Sequence, residues 1–221
     1  MTRLIIVRHA ESAFNLQNRI QGHLDSHLTT RGLKQSRALA RRLKHFKIDK
    51  AYSSDLGRAY TTALQITRFL KLKVVRDPGL REINLGAWEG MTPDEVDRDH
   101  NKGYQRWLKK PSAIQIPRGE TLGHFRRRIS DRVREIAMQH DGKTVLVVTH
   151  GGAIAALLTD WLKADFDTVL LNLQMDNTSL TIVDENRTRV RLHVVNDTTH
   201  LSEKEKVKHT VFTERALKGK K

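Results

Sequence analysis

The sequence predicts an α/β fold in which helices cover both faces of a central sheet. Short apolar runs alternate along the chain with longer segments of helical periodicity, and this alternation is typical of that fold class. The chain has 221 residues, of which 38% are hydrophobic. A chain of this length buries roughly 70% of its unfolded surface on folding, so we expect a single domain with an insertion rather than two separate cores.

The first half of the chain alternates strand and helix patterns. Residues 3–7 form an apolar run that ends at Arg8 and His9, as a buried strand with a charged tip would. From Thr30 onward, apolar residues recur at helical spacing, and Thr29 or Thr30 can cap this helix. Three further elements follow in order: a strand with its exit loop at 51–55, an amphipathic helix at 56–70 and a strand at 73–77.

The second half begins with a segment of different character. Residues 83–118 hold two of the three tryptophans and three of the four prolines without a clean period, so we expect a cap-like insertion over the main domain. From Gly119 a helix runs to a glycine stop at Asp141-Gly142. The remaining elements are a strand at 144–150, a helix opening at Gly151, and alternating strands at 178–183 and 189–195. Residues 202–221 are expected to form a basic C-terminal tail with a frayed end.

The composition excludes several classes of protein. The chain has no cysteine, which rules out disulfides, thiolate metal sites and thiol nucleophiles. The apolar runs are far shorter than the ~20 residues of a membrane span, and the first residues lack the apolar core of a signal peptide. We therefore expect a cytoplasmic protein without membrane contact, either a monomer or a homodimer.

The net charge of +15 raises the question of a polyanionic partner. The basic stretches are not interleaved with aromatic residues, as a surface for single-stranded nucleic acid would be. A solvated basic surface is therefore the simpler interpretation, and nucleic acid is a disfavoured but open alternative.

Polar side chains follow the ends of four predicted strands. Two strands end in His9 and His150, and Arg8 precedes the first histidine. Arg58 opens the helix after the second strand, and Glu82 follows the third. Because ligands of open α/β sheets bind beyond the carboxyl ends of the strands, we expect these five side chains to meet in one crevice. Each of them alone could also be an ordinary polar residue: Arg8 and His9 a polar strand end, Arg58 a solvated residue of the first helical turn, and Glu82 a solvated loop residue.

This combination of side chains suits phosphoryl transfer. Two guanidiniums match the oxygens of a phosphate, and the Gly151 N–H at a helix start adds a backbone donor. One neutral imidazole can attack phosphorus and form a phosphohistidine, and the other, if charged, can stabilise the transition state. Glu82 can protonate the departing alcohol, although Glu11 and Glu89 compete for that role. No step requires a metal or another cofactor.

Four motifs follow one another along the chain: 7–12 (VRHAES) with Asn15, Arg19 and Gln21-Gly22, then 53–63, 80–90 and 147–152. In order and spacing they resemble the histidine phosphatase superfamily, in the branch that includes the cofactor-dependent phosphoglycerate mutases, and the resemblance covers roughly residues 2–200. The resemblance implies a three-layer α/β/α sandwich with a mostly parallel sheet. The glycine that usually follows the first histidine is Ala10 here, which is tolerated if that backbone needs no positive φ.

The resemblance also implies roles for the site residues. His9 would be the nucleophile and Glu82 the general acid and base, while Arg8, Arg58 and His150 would hold the phosphoryl group. Substrate contacts at the rim would come from Asn15, Gln21 and Gly22, although Asn15 and Gln21 could also be ordinary loop residues.

Within the superfamily, residues 85–90 (LGAWEG) and the short segment after them resemble the small phosphatases, which include broad-specificity, α-ribazole and glucosyl-3-phosphoglycerate phosphatases. We therefore expect a metal-independent phosphatase that hydrolyses phosphate monoesters through a phosphohistidine on His9. The tryptophans and basic residues of 83–118 favour a small anionic or sugar-type ester as substrate. Two alternatives stay open: a cofactor-dependent phosphoglycerate mutase, and a basic protein that binds a polyanion or nucleic acid in the phosphate pocket without turnover.

Overall fold

The computed structural model describes residues 1–206 and forms one six-stranded sheet flanked by helices. The strands are β1 (Thr2–Arg8), β2 (Lys50–Ser53), β3 (Val74–Arg76), β4 (Thr144–Thr149), β5 (Leu180–Glu185) and β6 (Val190–Asp197). The α-helices are α1 (Ala13–Leu16), α2 (Thr30–Leu43), α3 (Gly57–Leu70), α4 (Pro93–Asp99), α5 (Gly103–Trp107), α6 (Leu122–Gln139), α7 (Gly151–Leu162) and α8 (Phe166–Asn172). Short 3₁₀ turns lie at Pro78–Leu80, Gly86–Trp88 and Pro111–Ala113.

The sheet is mostly parallel, as predicted. Its strand order is β3-β2-β4-β1-β5-β6. The pairs β3–β2, β2–β4 and β4–β1 are parallel, whereas β5 runs antiparallel to β1 and β6 antiparallel to β5. The first strand therefore lies inside the sheet, and its carboxyl end lies beside the carboxyl end of β4.

Alternate side chains of the central strands face two separate helix layers. Ile5 and Val7 of β1 pack in one buried cluster with side chains of α2 and α3. Leu4 and Ile6, which point the other way, belong to a larger cluster with side chains of α6 and α7. Burial on both faces explains why these strands read as continuous apolar runs. The predicted three-layer α/β/α fold is confirmed.

The helices that lead into the site begin at well-defined caps. At the start of α2, the Thr29 hydroxyl accepts a hydrogen bond from the Gly32 N–H at 3.0 Å. Helix α3 has no side-chain cap of its own. Instead the Asp25 carboxylate, from a distant loop, accepts hydrogen bonds from the Gly57 N–H and, at 3.1 Å, the Arg58 N–H. This loop thereby fixes the start of the helix that carries Arg58.

Residues 83–118 contain more regular structure than their sequence pattern predicts. They form α4, α5 and two of the 3₁₀ turns. Trp88, Val96, Tyr104 and Trp107 are buried in the same cluster as the strand residues. These helices have seven and five residues, and two such short segments give too few turns for a visible 3.6-residue period.

Other differences from the prediction concern short elements and boundaries. Helices α1 and α8 were not predicted, and each is held by a local cap, from Ser12 and Asp165 respectively. The strand predicted at 178–183 begins at Leu180, because Thr178 has a positive φ of 59°. Of the predicted basic tail, 202–206 form a turn, and the rest lies outside the described residues. No helix within residues 1–206 is long and apolar enough to cross a membrane.

Candidate active site

The strand register brings the two predicted histidines together. Arg8 of β1 pairs with Thr149 of β4, so His9 and His150 both follow the last paired residues of adjacent strands. The His9 N–H donates to the Thr149 carbonyl at 2.9 Å, and the two imidazole centroids lie 5.2 Å apart. Both side chains are buried.

A cleft of about 970 Å³, including its open mouth, lies at this edge of the sheet. The predicted residues that line it are Arg8, His9, Asn15, Gln21, Gly22, Arg58, Glu82 and Gly151. His150 lies behind them, fully buried against the His9 ring. The structure thus brings the whole predicted set together, with His150 in the wall of the cleft rather than at its surface.

His9 is held in the tautomer that a nucleophile needs. Its Nδ1 lies 2.8 Å from the Ala10 carbonyl oxygen. Because a carbonyl oxygen can only accept, Nδ1 carries the proton and the lone pair of Nε2 is free. Burial, followed by the charges of Arg58 and Arg8, holds the His9 pKa well below its usual range. The imidazole is therefore neutral. Ala10 has no positive φ, so alanine replaces the usual glycine there without strain.

His150 is also neutral, and it is hydrogen-bonded to Ser54. Its Nε2 lies 2.8 Å from the Ser54 hydroxyl oxygen, which itself accepts the Leu56 N–H at 3.3 Å. When the hydroxyl proton goes to Nε2, the ring proton lies on Nδ1. Burial, followed by the charge of Arg58, holds the His150 pKa well below its usual range. In this state the ring acts as a neutral N–H donor rather than as the cation considered from the sequence.

The two arginines are fixed at their outer nitrogens by backbone carbonyls. Arg58 donates from Nη1 to Leu24 at 2.8 Å and from Nη2 to Gly22 at 2.7 Å, and Arg8 donates from Nη1 to Met175. Both Nε atoms, like Nδ1 of His150, are buried without a partner among residues 1–206. Unpaired buried donors are rare and costly in proteins. Two of them belong to arginines that line the cleft and the third to the histidine behind it, and such a set fits an anion with several oxygens, such as a phosphoryl group.

Glu82 is oriented by two backbone N–H groups. Its Oε2 accepts from Gly152 at 2.9 Å, and its Oε1 accepts from Ile83 at 3.0 Å. A Cβ at position 152 would lie 2.5 Å from Oε1, so only glycine leaves room for this carboxylate. The sequence pattern predicts a backbone donor at Gly151 but gives no role to Gly152, because the contact partner is 70 residues away.

The two competing glutamates do not line the cleft. The carboxylate of Glu89 accepts the N–H groups of His23 at 2.7 Å, Leu24 at 3.1 Å and Leu85 at 2.9 Å. Glu11 is paired with Thr29 and Arg31 at 2.5 Å each. Both carboxylates therefore organise loops around the site, and of the three candidates Glu82 alone faces the cleft.

Asn15, Gln21 and Gly22, which were predicted as substrate contacts at the rim, line the cleft and also form hydrogen bonds within the protein. Asn15 closes a capping box with Ser12, and Gln21 Oε1 accepts from the Ser12 hydroxyl at 2.9 Å. Gly22 has a φ of 53°, and its carbonyl holds Arg58 rather than facing outward.

Sequence reasoning missed Asn177, a buried side chain behind the nucleophile. Its Nδ2 donates to the His9 carbonyl at 2.9 Å and lies 3.5 Å from Asn15 Oδ1. No local pattern around position 177 signals this contact, because it joins the loop before β5 to the end of β1 and depends on the tertiary fold.

Residues 4–198 match the histidine phosphatase superfamily (branch 1), and the chain belongs to that family. It is therefore a phosphoric monoester hydrolase of the class that works through a phosphohistidine. Phosphoserine phosphatase 1 of Hydrogenobacter thermophilus is 34% identical over 203 residues, which cover 92% of this chain and 96% of that protein. The metal-independent phosphoserine phosphatase of Arabidopsis thaliana is 35% identical over 80% of this chain and 75% of that protein.

Solved structures show the same fold. YhfR of Bacillus stearothermophilus superposes with a TM-score of 0.87 at 32% identity, over 90% of this chain and 99% of that one. A phosphoserine phosphatase from Entamoeba histolytica in complex with 3-phosphoglyceric acid gives a TM-score of 0.81 at 30% identity, over 91% and 100% of the two chains.

Proposed function

We propose that this protein hydrolyses small phosphate monoesters with His9 as the nucleophile and Glu82 as the general acid and base. The observation that carries the proposal is the pairing of a neutral His9, whose Nε2 is free, with three buried donors that lack partners among the described residues. Arg8, Arg58 and His150 would supply those donors to the phosphoryl oxygens. Gly151, Asn15, Gln21 and Gly22 would complete the wall around the phosphoryl group.

In the first step, Nε2 of His9 attacks phosphorus, and the bond between phosphorus and the ester oxygen breaks. The protonated carboxyl of Glu82 gives its proton to that oxygen, so that the alcohol leaves neutral. The phosphoryl oxygens gain charge as the bond shifts, and the fixed donors stabilise them without reorganising. In the second step, Glu82 takes a proton from water as the water attacks phosphorus. This step releases inorganic phosphate, restores neutral His9 and leaves Glu82 protonated again.

No step of this mechanism uses a metal ion. The side chains that hold the phosphoryl group are two guanidiniums and an imidazole, which supply charge and hydrogen bonds directly. The name of the relative from Arabidopsis thaliana, a metal-independent phosphoserine phosphatase, supports the same conclusion. We infer that turnover needs no metal or other cofactor.

Hydrolysis of p-nitrophenyl phosphate in excess EDTA tests this proposal, with the His9→Ala variant measured alongside. His45→Ala is the matched control, because His45 is exposed in the turn that follows α2. We expect turnover that survives EDTA, is lost in His9→Ala and persists in His45→Ala. Loss of turnover in EDTA that added Mg²⁺ restores would contradict the metal-free mechanism, and full activity of His9→Ala would contradict the nucleophile.

The two alternatives from the sequence predict different results. A mutase would move the phosphoryl group between positions of phosphoglycerate and would depend on a bisphosphoglycerate primer. A polyanion-binding protein would hydrolyse nothing and would lose affinity for DNA or RNA steeply with salt. We infer hydrolysis of a small molecule rather than either of these, because the donors that await an anion surround a cleft and do not lie on an exposed basic surface.

The remaining expectations concern organisation and location. We infer that the chain acts as a single domain and that 83–118 caps the cleft, which is supported by the burial of Trp88 and Trp107 in the main core. The cytoplasmic location and the monomeric or homodimeric state stay predictions. Cell fractionation and light scattering of the full chain test them.

A further inference from the structure

The cleft has two chemically different halves. The charged and hydrogen-bonding groups described above surround the place of the phosphoryl group. Beyond them the wall is mainly apolar, and it is contributed mainly by α6, α8 and the segment after α8. Its polar side chain is Gln174, whose Nε2 donates to Asp176 Oδ1 at 2.7 Å. Its principal apolar side chains are Leu122, Phe125, Phe166, Leu170, Leu173 and Met175.

The apolar half has little with which to bind a charged leaving group. Among the described side chains that line the cleft, Glu82 is the sole carboxylate. Arg19, which also lines it, uses its Nη1 to donate to Glu95 at 3.1 Å and to the Gly90 carbonyl at 2.6 Å. A charged group placed against the side chains of α6 and α8 would lose its water without an ion-pair partner among them, which is strongly unfavourable.

The insertion also contributes apolar rather than basic side chains to the cleft. Ile83, Leu85 and Trp107 line it, whereas the lysines and arginines of 83–118 do not. Trp88 packs behind, with its ring centroid 5.9 Å from that of Trp107. The basic residues on which the expectation of an anionic or sugar-type ester rested therefore lie outside the cavity.

We propose that the leaving group of the substrate is apolar, an alkyl or aryl alcohol rather than an amino acid or a sugar. This inference rests on the proposed function, because it assumes that the phosphoryl group sits among Arg8, Arg58 and His9. Burial of a methylene group is worth about 0.8 kcal/mol, which is about fourfold in kcat/KM. Four added methylenes should therefore raise kcat/KM by roughly two hundredfold.

The experiment measures phosphate release by the full chain from ethyl, butyl and hexyl phosphate and from O-phosphoserine. All four are primary alkyl esters, so the reacting bond is the same. The alcohol of serine is the better leaving group, so a preference for hexyl phosphate cannot come from intrinsic reactivity. We expect kcat/KM to rise with chain length and hexyl phosphate to exceed O-phosphoserine by at least tenfold.

Variants on α8 connect this preference to the cavity wall. Leu170 is half-buried and lines the cleft, whereas Leu171 on the same helix does not. We expect Leu170→Gln to lower kcat/KM for hexyl phosphate about tenfold and to leave ethyl phosphate nearly unchanged, while Leu171→Gln changes neither. Leu173→Gln is the second variant, should Leu170→Gln fail to fold by circular dichroism.

The outcomes separate this inference from the proposed function. Hydrolysis that is independent of chain length, or fastest with O-phosphoserine, would overturn the apolar leaving group and leave the phosphatase intact. If none of the esters nor p-nitrophenyl phosphate is hydrolysed, the proposed function fails. In that case the affinities for ethyl- and hexylphosphonate, measured by tryptophan fluorescence, test the present inference. Tighter binding of the hexyl compound supports the apolar subsite, and equal affinities overturn it.

Discussion

Replacement of Gly152 by alanine tests the positioning of Glu82 without removing any charged group. The new Cβ would lie 2.5 Å from Glu82 Oε1, whereas ordinary contacts begin at 3.4 Å, so the carboxylate must retreat by about 0.9 Å. A misplacement of ~1 Å in a reacting group costs about a hundredfold in rate. We therefore expect kcat/KM for an alkyl phosphate to fall about a hundredfold.

The assay compares an alkyl phosphate with p-nitrophenyl phosphate. Because p-nitrophenolate is a stable anion, it leaves without a proton, and its release should depend little on Glu82. The comparison uses kcat/KM, which reports the first phosphoryl transfer and not the later hydrolysis of the phosphoenzyme. We expect the alkyl ester to lose about a hundredfold and the aryl ester less than about fivefold.

Gly123→Ala on α6 is the matched control for this substitution. A Cβ there would lie 3.6 Å from Arg127 Nη1, which is an ordinary contact, and position 123 does not line the cleft, so activity should be retained. Alanine also favours a helix over glycine by ~1 kcal/mol, so neither variant should melt earlier than the parent protein. An equal loss on both esters, or an unchanged kcat/KM for the alkyl ester in Gly152→Ala, would refute the role given to Glu82.

Three further predictions follow from buried groups. Burial holds the pKa values of His9 and His150 well below their usual range and lowers that of His200 to about 4, so these rings take up protons on unfolding below about pH 6.5. The free energy of unfolding should therefore fall as pH falls from about 6.5, and His200→Gln should reduce that slope by about 1.4 kcal/mol per pH unit in urea titrations between about pH 6 and 4.5. Asn177→Ala leaves the His9 carbonyl without its 2.9 Å donor and should lower kcat more than it raises KM, at a cost of about 1–3 kcal/mol in stability. Inorganic phosphate at about a hundred times its Kd should stabilise the protein by about 2.7 kcal/mol, seen as a higher Tm that Arg58→Ala abolishes.

Each of these has a clear contrary result. A slope unchanged by His200→Gln would show that this ring is already protonated in the folded protein. Equal kcat and a raised KM in Asn177→Ala would place that residue in substrate binding rather than behind the nucleophile. A Tm that chloride raises as much as phosphate does would indicate a general salt effect.

The parts of the site that the sequence predicts are those that lie at strand ends. An apolar run that stops at a histidine or arginine indicates both a buried strand and the functional residues at its carboxyl end. Parallel pairing in the sheet then brings these carboxyl ends together. This is why the sequence alone suffices to place Arg8, His9 and His150 in one crevice. The resemblance of the four motifs to those of the histidine phosphatase superfamily adds the roles of these residues and the three-layer fold.

The parts that were not predicted depend on contacts between distant segments. Gly152 matters because Glu82 lies against its Cα, and Asn177 matters because its loop passes behind His9. Likewise, the composition of 83–118 shows that tryptophans and basic residues are present but not which of them face the cleft. Trp107 lines it, whereas Trp88 packs behind it. The tertiary fold determines which side chains of a segment face the cleft, and the residue types along that segment do not specify this.

The pairing of β1 with β4 has a consequence for how this protein tolerates change. His9 and His150 meet because Arg8 lies opposite Thr149, and successive side chains of each strand alternate between the two helix layers. Insertion or deletion of one residue within 2–8 or 144–149 would move every later side chain of that strand to the opposite face. In a library of single-residue deletions, we therefore expect these two short segments to be intolerant throughout. Conservative apolar substitutions at the same positions should survive, because they preserve the alternation and disturb only local packing.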